Sequence, residues 1–145
     1  MQPDFERFFR DYTDAFNRSL GETVDGAAIR ASFAGCFVGA GPGGVTCGAN
    51  DDSFTASLEK GYVFYRKIGT RRMVLRGVEP TPIDPLHHLV KVLYRADYRK
   101  PDGTDLSIDF DVSYLLQTRD GVSKIFAFIT GDEMGLYQKH GLLPD

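Results

Sequence analysis

Three aspartates, Asp105, Asp109 and Asp111, stand at alternate positions of one segment. That spacing puts carboxylates in a row on one strand face, where they could bind a cation or move protons. The preceding segment supplies a competing role. When the turn Pro101-Asp102-Gly103 closes, Arg95 falls opposite Asp109 and Arg99 opposite Asp105, so two of the three carboxylates are neutralised on a solvent face. Asp111 has no evident partner and stays a minor candidate. Gly39-Ala40-Gly41-Pro42-Gly43-Gly44 matches the GxGxxG pattern in letters. Nucleotide binding needs that loop to lead straight into a helix of a βαβ unit, whereas here Pro42 interrupts it and Val45-Thr46-Cys47-Gly48 follows, so it reads as a loop. His87 and His88 are adjacent on a strand, face opposite ways and cannot share a metal. His88 falls on the apolar side and is the best-placed general acid or base, because imidazole changes charge near neutral pH. Tyr12, Tyr62, Tyr65, Tyr94 and Tyr114 are phenols that need hydrogen-bond partners when buried, and several on converging faces imply a cavity with polar points. No Gly-x-Ser-x-Gly elbow proposes a nucleophile, and Cys36 and Cys47 lack metal-site spacing, which leaves them as reduced, partly buried thiols.

The elements that must position these groups are legible from periodicity. Phe5, Phe8, Phe9, Tyr12, Phe16 and Leu20 recur at three- and four-residue steps and predict a helix over 4–20. Asp25 can cap a second helix carrying Ile29 and Phe33 and closed by Gly35. Cys36-Phe37-Val38 is a short strand running into a glycine-rich loop, Gly39 to Gly48. A third helix, capped near Asn50 and Asp51, carries Phe54, Leu58, Tyr62 and Tyr65. Met73 to Val78 is a strand ended by Pro80, Pro82 and Pro85.

The two long strands that follow fix their own register. His88, Val90, Val92, Tyr94, Ala96 and Tyr98 alternate with charged residues, as do Leu106, Ile108, Phe110, Val112 and Tyr114. The pairing that sets Tyr94 against Phe110 and Val92 against Val112 also matches the Arg/Asp pairs, and a slip by one would turn a core face to solvent. A last strand, Val122 to Thr130, follows Asp120-Gly121, and Asp132 to Gly141 ends the chain as a short helix or cap. The plan is α+β: one domain over residues 1–145, with three N-terminal helices over a cone-shaped, curved antiparallel sheet. The covered face should bear Val90, Val92, Tyr94, Phe110, Val112, Tyr114, Phe126 and Phe128.

Composition excludes several classes. The 145 residues are 42% hydrophobic and 26% charged, which argues against disorder, and no apolar run reaches the length of a membrane span. The net charge of −3 gives no basic footprint for nucleic acid. Arg66, Lys67, Arg71 and Arg72 do cluster, but at a helix end, where the macrodipole favours cations. With no basic and apolar leader at Met1-Gln2-Pro3-Asp4, the expectation is a soluble cytoplasmic protein with no metal, cofactor, nucleic-acid or membrane partner.

The element order resembles, over essentially the whole length, the nuclear transport factor 2-like superfamily, which includes ketosteroid isomerase and the SnoaL-like polyketide cyclases. Asp11-Tyr12-Thr13-Asp14-Ala15-Phe16-Asn17, Ser32-Phe33-Ala34 and Phe128-Ile129-Thr130-Gly131-Asp132-Glu133 carry the local likeness. The resemblance implies a cystatin-like α+β barrel. It places Tyr12 where ketosteroid isomerase has its oxyanion tyrosine. That family's aspartate base aligns with Gly41-Pro42, so the carboxylate is absent there. Its second acid falls near Ser113 or Asp111, on the outward face.

Two functional expectations follow. A small-molecule binding protein should have an apolar pocket lined by Phe8, Tyr12, Phe16, Phe54, Leu58, Tyr62, Tyr94, Phe110 and Phe128, with Tyr12 and His88 as polar contacts. The motive is an aromatic surplus of 11 Phe and 7 Tyr, many directed at one interior, with no Trp to fill volume. The alternative is an isomerase, cyclase or hydratase acting on a small hydrophobic carbonyl compound through Tyr12 and His88. A homodimer is expected through the outer sheet face, where Leu89, Leu115 and Ile125 should form an apolar row with Leu93 and Ile129 beside it.

Overall fold

The computed structural model describes residues 2–21 and 23–143. Helix α1 spans Phe5–Ser19, and the Asp4 carboxylate caps it by accepting from the Arg7 N–H at 3.0 Å. Phe5, Phe9, Thr13 and Ser19 of its inner face are buried. Helix α2, Gly26–Ala31, is capped by Asp25 in the same way. It ends at Ala31, short of the expected closure at Gly35, and Phe33 opens strand β1, Phe33–Gly41.

The glycine-rich stretch is a hairpin rather than a loop. β1 pairs antiparallel with β2, Gly44–Ala49, from Cys36↔Ala49 to Gly41↔Gly44. Its glycines are where rings lie against the backbone. A Cβ on Gly39 would come within 2.7 Å of the Phe128 ring, and one on Gly48 within 2.6 Å of the Phe37 ring. Small residues here make room for aromatic side chains from neighbouring positions, and so erase the alternation that marks a strand. Cys36 and Cys47 sit on this hairpin, unbridged and exposed rather than partly buried.

Asp51 caps α3, Asp52–Lys67, and the Asn50 amide donates to the Arg30 and Phe33 carbonyls, tying the end of α2 to the start of α3. Strand β3 runs Thr70–Asp84, straight through Pro80 and Pro82. The prolines do not end it because β3 is the last strand of the sheet, where a missing N–H costs no ladder bond. β4 (His87–Arg99), β5 (Asp105–Arg119), β6 (Val122–Thr130) and α4 (Glu133–Lys139) complete the chain. The sheet order is β2-β1-β6-β5-β4-β3. It is open at β2 and β3, bent by bulges in three of its pairings, and antiparallel except where β1 meets β6 in parallel.

The β4–β5 register is the one the charge pattern requires: Tyr94↔Phe110, Val92↔Val112, Arg95↔Asp109 and Arg99↔Asp105. Arg95 Nε lies 3.2 Å and Arg99 Nε 2.8 Å from their aspartates. Such exposed pairs are worth roughly 0–1 kcal/mol each and act on register more than on stability. Asp97 is held by Arg72 at 2.7 Å from the neighbouring β3.

The β5–β6 register differs from expectation. Asp120 (φ 52°) and Gly121 (φ 77°) form a two-residue turn with both central residues left-handed, which sets Arg119 against Val122. That is one residue off the pairing of Leu115 with Ile125 that the expected outer row requires, and one residue exchanges the faces of a strand. Ile125 therefore pairs with Leu116 and is fully buried, so it leaves the expected outer row. Phe126 turns outward against the His87 ring, with centroids 6.1 Å apart, and leaves the expected inner face. A bulge at Leu115/Leu116 then restores Phe128 to the inside, opposite Tyr114.

The main core lies between α1, α2, α3 and the sheet, around Phe9, Val90, Val92, Tyr114, Leu116 and Ile125. A smaller one, around Ile68, Ala96, Tyr98, Ile108 and Tyr137, lies at the α4 end. No described helix is long and apolar enough to cross a membrane.

Candidate functional site

Where the two cores meet, packing leaves a cavity of about 240 Å³. Tyr12, Thr13 and Phe16 enter it from α1, Leu58 and Tyr65 from α3, and Thr70 and Met73 from β3. Tyr94, Tyr98, Phe110, Val112, Tyr114, Phe128 and Thr130 form the sheet wall. Glu133 and Tyr137 close the α4 end. Phe33 completes the lining from the start of β1.

The apolar surface is largely ring faces, and the polar groups are distinct from one another. The Tyr94 and Tyr114 hydroxyls bond to each other at 2.9 Å, and the Thr13 hydroxyl donates to the Phe9 carbonyl at 2.6 Å, so these are already engaged. Burial pushes the Tyr12 phenol far above its ordinary value, with neighbouring Tyr65 adding to the effect, and it pushes Tyr65 and Tyr98 up to about 12. All three remain neutral donors at physiological pH. Thr70 Oγ1 is buried without a hydrogen-bond partner. Glu133 is the one formally charged side chain among the described lining residues, and burial raises its carboxyl pKa.

The raised value sets the sign of a stability effect. Glu133 favours the folded state at pH below its unfolded value, and this contribution is lost as pH rises through the higher folded value. Glu133→Gln is therefore expected to melt above wild type near pH 8, with the gap closing toward pH 4. Parallel melting curves across that range check it; a constant gap would mean that burial of the charge is not the cause.

Tyr12, Phe16, Leu58, Tyr94, Phe110 and Phe128 come together on the cavity. Phe8, Phe54, Tyr62 and His88 lie away from its lining. Phe8 packs on Phe9 (centroids 4.9 Å), Phe54 on Phe37 (4.7 Å), and Tyr62 behind Phe16 (5.1 Å). His88 is buried under the Phe5 ring at 4.9 Å, with Nδ1 unpartnered, on the strand stretch between Pro82 and Leu116. Sequence reasoning passed over Glu133 and Thr70. The available signal for Glu133 was its place four residues before Tyr137, on one face of a short amphipathic helix.

A wider surface groove of about 640 Å³ runs beside the β1–β2 hairpin, from Gly39 to Gly44. Phe128, Thr130 and Glu133 line both spaces and stand between them. Gly41 abuts Thr130, whose Oγ1 lies 2.9 Å from where a Cβ would be. Among the described residues, no group of His, Cys, Asp and Glu is arranged to hold a metal ion.

The model of a family of NTF2-like proteins, DUF6841, matches residues 3–133. The chain belongs to that family. Among solved structures, this NTF2-like protein is similar to Aln2 from a Streptomyces species, with TM-score 0.69 and 13% identity over 94% of this chain and 93% of that one. An NTF2-like protein with a cystatin-like fold from Novosphingobium aromaticivorans gives TM-score 0.68 and 11% identity over 98% and 88% of the two chains. A ketosteroid isomerase-like protein from Erwinia carotovora atroseptica gives TM-score 0.61 and 18% identity over 87% and 91%. At these identities the likeness is one of fold. No curated protein matches the sequence.

Proposed function

We propose that this NTF2-like protein binds a small, mainly apolar molecule in its aromatic cavity. The observation that carries the reading is the cavity itself: a core with this many large side chains leaves about 240 Å³ unfilled and lines it with ring faces and a few hydroxyls. Small-molecule sites span roughly 300–1,000 Å³, so the ligand is of one or two rings rather than four. The two unbridged thiols suit a reducing, cytoplasmic setting. Native mass spectrometry of the protein purified without denaturation tests the reading. One small-molecule adduct per chain, lost when Phe110→Trp fills the cavity, is expected; an adduct retained by that variant would place the ligand elsewhere.

A second reading, catalysis on a small hydrophobic carbonyl compound, is favoured by one observation. Tyr12, a neutral donor, and Glu133, a carboxyl of raised pKa, line the same cavity. His88 lies off that lining, so the acid–base role would pass to Glu133. Turnover of a small β,γ-unsaturated ketone such as 3-cyclohexenone, abolished by Tyr12→Phe, would establish this reading over simple binding.

We also propose a homodimer through the outer sheet face, now without Ile125. Leu89 and Ile129 are 36% and 53% exposed, and Leu115 pairs between Leu89 and Ala127, so the row survives the changed register. Leu115→Asp is expected to sediment as a monomer at concentrations where wild type is dimeric. A wild type that is monomeric at micromolar concentration contradicts the dimer.

A further inference from the structure

The α4 end of the cavity differs chemically from the rest. Glu133 lies there, and none of the other described lining residues is a lysine, arginine or histidine. The groups that feel its charge come from several neighbouring elements: Tyr65 on α3, Tyr94 and Tyr98 on β4, Tyr114 on β5, and Tyr137 on its own helix. All of them are neutral phenols. Independently, Thr70 on β3 is 8% exposed, and its hydroxyl oxygen has no partner although it lines the same space. Buried carboxylates are ordinarily paired with a cation, and buried hydroxyls are ordinarily hydrogen-bonded. Here a partly buried carboxylate with no cation among the described lining residues and a buried hydroxyl with no hydrogen-bond partner line one cavity.

We propose that the ligand of this cavity is a small aromatic or alicyclic amine, bound as its ammonium ion, with the charged nitrogen at Glu133 and Thr70 and its apolar body among the rings. An ammonium supplies donors and no acceptors, which suits a carboxylate and an unpartnered oxygen. The aromatic walls attract the same charge through their faces, an interaction that strengthens when water is excluded. A carboxylic acid of the same shape would place two like charges together and is rejected. A neutral alcohol fits the rings but leaves the carboxylate without a counter-charge. This inference rests on the proposed ligand-binding reading and names the class of ligand.

Three isosteric probes separate the two claims: 2-phenylethylamine, 2-phenylethanol and phenylacetate, titrated into the full chain by calorimetry. The amine is expected to bind at least about tenfold more tightly than the alcohol, with no binding of the acid. In Glu133→Gln the amine-to-alcohol ratio should fall to near one. Wild type supplies a second readout that needs no variant. Amine affinity should drop as pH falls through the carboxyl's raised value, and alcohol affinity should stay flat. Alcohol binding equal to or tighter than amine binding, or a ratio unchanged by Glu133→Gln and by pH, overturns the amine class alone. If none of the three probes binds, the amine class and the cavity reading fall together.

Discussion

Gly69→Ala is expected to destabilise the fold by about 4 kcal/mol or more, enough to leave much of the chain unfolded at 37 °C. Gly69 ends α3 and precedes Thr70, the first residue of β3 and part of the cavity lining. Its φ of +87° is a conformation that side chains resist, and a Cβ there would sit 2.1 Å from the Arg99 carbonyl oxygen. That contact is with backbone, so no rotamer change relieves it. The Gly69 carbonyl also accepts from the Arg99 N–H at 2.9 Å, which joins the helix end to the far end of β4. Moving the strand away to admit a methyl group would break this bond and shift Thr70 and Met73. Urea unfolding measures the effect; a loss below about 1 kcal/mol would show that the turn has another conformation within reach.

Phe9→Ala is expected to cost about 3–5 kcal/mol, the usual range for removing a fully buried ring. Phe9 is completely inaccessible, with its ring 4.7 Å from Tyr114, 4.9 Å from Phe8 and 6.2 Å from Tyr12. With Tyr12 it seats α1 on Tyr114 of β5, and α1 carries Tyr12, Thr13 and Phe16 to the cavity. The void it leaves is walled by rings that cannot collapse without shifting the helix. Phe8→Ala, one residue away and only partly buried, is expected to cost less than half as much in the same denaturation experiment.

The contrast between what the sequence disclosed and what it hid has a physical pattern. Long alternating segments with opposite charges at matched positions specify a pairing completely, and β4–β5 follows that pairing through all of its residues from His87↔Gln117 to Arg99↔Asp105. Caps are equally local: Asp25 and Asp51, both expected to cap, each accept from a backbone N–H in the first turn of the helix that follows. The β1–β2 hairpin was hidden because its glycines serve residues distant in sequence, such as Phe128 beside Gly39, and leave no pattern within the segment. The β6 faces were misplaced by a single residue, since an Asp-Gly pair is compatible with turns of different length and the Leu115/Leu116 bulge has no local mark.

The site was legible in its apolar part only. Periodicity shows which way a ring points, and Tyr12, Phe16, Leu58, Tyr94, Phe110 and Phe128 do converge. It does not show where packing fails to fill space. Phe54 and Tyr62 point inward yet end in the solid core, and His88 is covered by Phe5. Glu133 and Thr70 were invisible for the opposite reason. Each stands at the edge of its element, where a polar residue reads as a cap or a solvent-facing side chain until the tertiary contacts enclose it.

Binding in the cavity is tested most directly by calorimetric titration of 2-phenylethanol into wild type and into Leu58→Trp, a variant that fills the space from α3 and whose fold is checked by circular dichroism. Saturable binding of one molecule per chain with a negative heat-capacity change, lost in the filled variant, is the predicted result. No binding of either 2-phenylethanol or 2-phenylethylamine to wild type, or equal binding to both proteins, would contradict it.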